Sequence, residues 1–400
     1  MIGRIWKRSK KALSEEKKDL PAVEQDEIKQ RAKKTSVGKV QVIETGLKYK
    51  YDLKALFEIL MDLRPPAFDI HLTPGFPPYF RYNGELLSSD LPPLTIEEIE
   101  DLLCEYSTRE KIQEFVENKF VEYVSEIPGL TSFRANLRRE NNGVGASLRR
   151  ISTNSLSIDQ LNLPRVYKDI ARKERGLIII SGPAKSGKTT TIAALIKFIS
   201  NTRQGKILVL NRTIEFISPS KKSMVINKEV GKDISSYVEG IEQAFTDDTE
   251  VIVTGEIEGI DMMTSLFNAT QRGLLVISEF YPRGCVKILE RIINFFPETK
   301  KEKIYSHLSE YLEAIISQVI INKKENAGKA LISEVLLSTP EVKFSIKEGQ
   351  FTQLPMIIQH NKSIGMQDMD DELESLLKEN KITLDMARAY SISSEKFVQN

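Results

Sequence analysis

Histidine, cysteine and tryptophan are nearly missing from this chain, with three, two and one among 400 residues. The histidines, His71, His307 and His360, stand far apart, so no HExxH or other paired-histidine metal motif exists. Cys104 and Cys285 form no CxxC, which excludes a disulfide framework and a cysteine zinc site. No run approaches the ~18 apolar residues of a membrane-spanning helix. The first residues, MIGRIWKRSKK, are charged but lack the apolar stretch of a secretory signal, so a cytoplasmic chain is expected. Net charge is also close to zero, with 57 Lys+Arg against 56 Asp+Glu. That balance argues against a globally basic nucleic-acid binder, and no nucleic-acid partner is expected.

The balance is uneven along the chain. Residues 1–40 hold 12 Lys+Arg and 6 Asp+Glu, leaving +6 on an arm and −5 on the body. Apolar residues are sparse after Trp6, so residues 1–45 read as a basic arm that does not fold alone. Ile2, Ile5 and Trp6 beside so many cations would suit a peripheral membrane contact through residues 1–40. The hydrophobic content of 40% is enough for a real core in the rest.

Residues 46–151 read as an α+β domain. Leu53, Leu56, Phe57, Leu60 and Leu63 have helical spacing, and Pro65-Pro66 ends that helix. FDIHL and YFRYNGEL read as strands, residues 95–117 as helix, and FVEYVSEI, TSFRANLRREN and GVGASLRRI as further strands. Residues 152–165 read as a linker. From 166 to 355, apolar runs (GLIIIS, KILVL, VIVTGE, LLVISEF, ALISEVLL) alternate with helical segments, the pattern of an α/β domain with a mainly parallel sheet. Residues 302–321 read as one long helix, and residues 356–400 as a helical appendage.

The decisive motif is Gly182-Pro183-Ala184-Lys185-Ser186-Gly187-Lys188-Thr189, followed by Thr190. It satisfies GxxxxGK[ST] between an apolar strand and a helix. Such a loop turns backbone N–H groups inward as an anion nest at a helix N-terminus. Lys188 would reach the β- and γ-phosphates of ATP, and the Thr189 hydroxyl would ligate Mg²⁺. By composition alone, the motif arises by accident in about one or two per hundred chains of this length. Two acidic residues end later strands: Glu256 in VIVTGE and Glu215 after ILVLNRTI. Glu256 is placed to sit beside Mg²⁺ or the attacking water, and Glu215 to orient or deprotonate that water.

DIHLTPGFPPYFRYNGEL, FRAN, SLRRI, GPAKSGKTTT, TIEF, VIVTGE and GMQDMDDEL stand in the order seen in the type II/IV secretion ATPase superfamily. From Tyr51 to Phe397 the chain resembles the type IV pilus retraction ATPases (PilT-like) most. The resemblance implies a PAS-like N-terminal domain, a RecA-like P-loop ATPase domain and a hexameric ring with ATP between domains and subunits. It further implies a place at the inner face of the cytoplasmic membrane, an inner-membrane platform protein as partner, and a part in pilus retraction and twitching motility. Arg134, in FRAN, matches an arginine of the family that reaches the nucleotide, and Arg139 is a second candidate.

The chain departs from the family in its catalytic boxes. Where the family reads Glu-Asp-Pro-Ile-Glu-Phe, this chain has Asn211-Arg212-Thr213-Ile214-Glu215-Phe216. The family's Gly-Glu-x-Arg-Asp is Gly255-Glu256-Ile257-Glu258-Gly259 here, and two box histidines are replaced by Leu274 and Tyr281. Two readings follow: a motor ATPase of divergent sequence, or a hydrolysis-impaired nucleotide-binding paralogue that regulates or joins the ring of an active homologue. Both homomeric and mixed hexamers are compatible with the sequence.

Overall fold

The computed structural model describes residues 34–37, 40–43, 52–62, 69–82, 85–140, 143–151, 156–213, 221–326 and 328–397. The chain divides into two compact units, residues 1–153 and 154–400. Most of the basic arm, and with it the expected membrane contact, lies outside the described residues. The arm was expected to be unstructured through residue 45, and the described part corrects this. Strands β1 (Lys34–Val37) and β2 (Val40–Ile43) form an antiparallel pair. A sheet edge offers backbone partners that a lone arm lacks.

The first unit continues with helix α1 (Leu53–Asp62) and strands β3 (Asp69–Leu72), β4 (Tyr79–Tyr82) and β5 (Glu85–Ser89). Helices α2 (Ile96–Glu105) and α3 (Arg109–Asn118) follow, then β6 (Phe120–Ile127), β7 (Thr131–Glu140) and β8 (Gly143–Ile151). Among the described residues, eight strands lie in the order β1-β2-β5-β4-β3-β8-β7-β6. All pairs are antiparallel except β2 with β5. The helix read over 95–117 is two helices. Thr95 and Glu98 form a capping box at the start of α2, and Thr108 starts α3 by accepting from the Lys111 N–H. One sheet face packs Ile70, Phe80, Phe133, Ala135 and Leu148 against Leu53, Phe57 and Leu60 of α1.

The second unit opens with α4 (Val166–Ala171), β9 (Gly176–Ser181), α5 (Lys188–Thr202), β10 (Gly205–Asn211) and β11 (Ser223–Glu229). It continues through α6 (Tyr237–Ala244), β12 (Val251–Glu256), α7 (Ile260–Gln271), β13 (Leu275–Phe280), α8 (Cys285–Ile293) and α9 (Glu298–Tyr311). It ends with β14 (Leu312–Asn322), β15 (Lys329–Leu337), α10 (Pro340–Lys347), α11 (Leu354–His360), α12 (Met369–Lys378) and α13 (Leu384–Tyr390). The described strands form a sheet in the order β11-β10-β12-β13-β9-β14-β15, parallel except for β15.

Alternate residues of β9 serve opposite cores, as a period of two requires. Leu177 and Ile179 pack with α6, α7 and α8, whereas Ile178 and Ile180 pack with α4 and α5. Two expectations are corrected here. The helix read over 302–321 stops at Tyr311, because Ile315, Ile316, Val319, Ile320 and Ile321 are β-branched and fill the strand between β9 and β15. The described part of the linker, residues 156–165, is not a free tether, since Ile158 and Leu163 are buried in the second unit.

Candidate functional site

The phosphate loop connects β9, a strand buried at all six positions, to α5. Only glycine fits at its two ends. At Gly182 φ is 149°, and a Cβ would lie 2.1 Å from the Gln318 carbonyl oxygen. Gly187 caps α5 in the left-handed region with φ 86°. Lys188 is 8% exposed, and its Nζ donates to the carbonyl oxygens of Gly182 (2.8 Å) and Pro183 (3.2 Å), bracing the loop from inside. Pro183, Ala184, Lys185 and Thr190 are exposed, whereas Ser186 is buried with no hydrogen-bond partner for its Oγ among the described residues.

A second brace comes from β14. Gln318 is fully buried, donates through Nε2 to the Ser186 carbonyl (2.8 Å) and accepts from the Thr191 hydroxyl (3.0 Å). Its place in a stretch that reads as helix hides this role in the sequence. A single glutamine within IISQVII is the signal that was available, since a buried amide needs partners.

Glu256 ends β12, after a register shift between Thr254 and Glu256 that leaves it paired with Glu279 of β13. The Ser278 hydroxyl holds the bulge by donating to the Gly255 carbonyl at 3.1 Å. Thr189 and Glu256 line one recess of about 250 Å³, together with Asn211, Arg212, Tyr237 and Glu258. A neighbouring recess of about 450 Å³ shares Glu256 and Glu258 and is walled by Phe280, Tyr281, Arg291 and Phe295. Burial raises the Glu256 carboxyl above its ordinary value; nearby Lys188 and Arg212 oppose that shift and Glu258 adds to it. Glu215 lies outside the described residues.

The departures from the family's boxes are not independent of one another. Arg212, where the family has an acid, pairs with Glu258, where the family has an arginine. Nε and Nη2 of Arg212 reach Glu258 Oε1 at 2.8 and 2.6 Å. The two substituted positions thus form an ion pair with each other in this chain. The two positions that replace histidines lie at opposite ends of β13. Leu274 precedes the strand at the edge where Gly176 begins β9, and its carbonyl accepts from the Gly176 N–H at 3.1 Å. Tyr281 follows the strand at the phosphate-loop edge, with its ring 4.8 Å from Lys188 Nζ. Only Tyr281 therefore borders the phosphate loop.

In the first unit, Arg134 sits on β7, is 9% exposed, and places Nε 3.4 Å from Glu122. Its register partner Arg149 makes two hydrogen bonds to Asp69, at 2.7 and 3.0 Å. Arg139 is exposed, and five residues from Arg134 on an uninterrupted strand it falls on the opposite face. Arg138 shares the face of Arg134. None of the three histidines lines either recess. His71 meets the Ser147 hydroxyl at 2.9 Å, and His307 meets Gln271. The GMQDMD segment ties the appendage to β15 instead: Gln367 pairs with Val335, and Asp370 accepts from the backbone of Ile392 and Ser393.

A glycine-rich loop between a buried parallel strand and a helix, with an acidic strand end facing its hydroxyl residue, defines a P-loop protein. The chain belongs to the type II/IV secretion system protein family, whose description matches residues 113–380. It is 32% identical to the type IV pilus retraction ATPase PilT of Pseudomonas aeruginosa, covering 83% of this chain and 96% of that one. It is 31% identical to a twitching motility protein of Neisseria gonorrhoeae, over 80% and 85% of the two chains. The fold superposes on a crystal structure of the pilus retraction motor PilT with bound ADP, with a TM-score of 0.78 and 29% identity over 87% of this chain and 99% of that one. The Legionella pneumophila ATPase DotB shares the fold, with a TM-score of 0.71 at 18% identity over 86% and 96% of the two chains. The architecture is that of the family: an antiparallel-sheet unit followed by a mostly parallel one. No helix among the described residues is long and apolar enough to cross a membrane.

Proposed function

We propose that this chain is an ATP-driven motor of a type IV pilus or related secretion machine, acting in pilus retraction as a hexamer. The observation that carries the reading is the meeting of Lys188, Thr189 and Glu256 at one edge of the parallel sheet. The residues suit ATP with Mg²⁺. Gly182 and Gly187 let the loop pack closely on β14, where a Cβ would strike Gln318 or Ile320, and the buried Ser186 Oγ still has hydrogen-bonding capacity. Thr189 with one carboxylate is a sparse oxygen set of the kind Mg²⁺ accepts beside phosphate. The ion would neutralise charge on the phosphates. Loop N–H groups and Lys188 would bind them, Glu256 or Glu215 would orient the attacking water, and either Arg134 or Arg139, which lie on opposite faces of β7, would neutralise the terminal phosphate.

A second reading, a hydrolysis-impaired paralogue that joins or regulates an active ring, draws on Tyr281. A neutral phenol there stacks on Lys188, where the family's histidine could carry charge. Deleting the gene in its host and imaging labelled pili tests the retraction role. The proposal expects pili that extend and fail to withdraw, and unchanged withdrawal contradicts it.

A further inference from the structure

The recess beside the phosphate loop is lined by three carboxylates, Glu256, Glu258 and Glu279. Among the described residues lining it, Arg212 is the one cation. A polyphosphate entering this ring is repelled unless cations offset it. The backbone of Arg212 is anchored: it follows β10 directly, and its N–H donates to the Tyr237 hydroxyl at 3.2 Å. Its guanidinium is not anchored in the same way, since its side chain is 65% exposed and that of Glu258 is 43% exposed.

Both of its short contacts converge on one oxygen, Glu258 Oε1, and do not spread over two as a fork-on-carboxylate pair does. An exposed ion pair made through a single oxygen contributes little and exchanges readily. A guanidinium gains more from a phosphate that offers two oxygens to its fork. Glu256 lies within electrostatic reach of both Arg212 and the loop lysine Lys188, and it lines the recess together with Arg212.

We propose that Arg212 is a movable phosphate contact supplied by the chain itself. It rests on Glu258 and turns onto the terminal phosphate when ATP enters. The inference rests on the nucleotide-binding reading above and adds a cation to it. It also gives the Arg212–Glu258 pair a consequence, because the arginine directly follows β10, where its backbone is fixed beside the recess.

The test is titration of the full-length chain with a non-hydrolysable ATP analogue and with ADP, for wild type, Arg212→Ala and Glu258→Ala. Circular dichroism melts confirm that each variant is folded. Arg212→Ala is expected to lose about tenfold in affinity for the ATP analogue with little change for ADP. Glu258→Ala, which releases the arginine, is expected to tighten the ATP analogue. A pair that only supports the loop would move both variants in the same direction, and that result overturns the proposal, as does an unchanged preference for the ATP analogue over ADP in Arg212→Ala. If the wild type binds neither nucleotide while folded, the nucleotide-binding reading itself falls.

Discussion

Gln318 lies within an apolar strand, and its two hydrogen bonds make it a support for the phosphate loop and not a liability of the core. Replacing it with leucine keeps the bulk and removes both partners, leaving the Ser186 carbonyl and the Thr191 hydroxyl unpaired in a buried place. Gln318→Leu is expected to lose about 1–3 kcal/mol of stability by urea unfolding. Nucleotide affinity should fall with it, since the loop's far wall is then unbraced. Unaltered affinity would show that Lys188 alone holds the loop. Residues that carry their own spacing, Gly182, Gly187, Lys188 and Thr189, were legible from the sequence. Gln318 and Tyr237 were not, because their roles depend on strands distant in sequence. The same limit hid the Arg212–Glu258 pair, whose members are 46 positions apart and read as two separate losses until β10 and β12 lie side by side.

At the scale of elements, the alternation of apolar runs and helical segments was enough to expect a parallel sheet. It failed where composition is ambiguous. LEAIISQVIIN follows a helix without a Gly or Pro break, and only its β-branched content marks it as a strand. Two carboxylates tie β15 to its neighbours: Glu334 on the strand itself to α8, and Glu372 of the appendage helix α12 to the strand. Glu334 accepts from the Cys285 N–H and Glu372 from the Ser333 N–H, both at 2.9 Å. Burial pushes both carboxyls up to about 7. An ordinary Glu titrates near ~4.3, so the folded chain holds protons that the unfolded chain has released. The associated stability is full below that ordinary value and is lost as pH rises through 7. The melting temperature is therefore expected to fall between pH 5 and pH 8, and the double variant Glu334→Gln/Glu372→Gln should flatten that slope. A slope unchanged in the double variant would contradict this assignment.

For the whole molecule, the two-unit order and family membership followed from motifs spread along the sequence. Strands β1 and β2 did not, because β2 gains its second partner, β5, only from a sheet built by residues far along the chain. If the first unit's Arg134 serves nucleotide in a ring, Arg134→Ala and Lys188→Ala should damage different parts of the same site. If the arginine reaches a neighbouring subunit's nucleotide, mixing the two inactive proteins is expected to restore part of the ATPase rate, whereas no recovery in mixed oligomers would show that it does not serve a neighbour's site. The central claim is that an intact phosphate grip and Glu256 still support turnover beside an altered catalytic edge. Steady-state ATP hydrolysis by the purified oligomer with Mg²⁺, compared with Lys188→Ala and Glu256→Gln, tests it most directly. A wild-type rate at least ~10²-fold above both variants is the predicted result, and a rate indistinguishable from theirs would contradict the account.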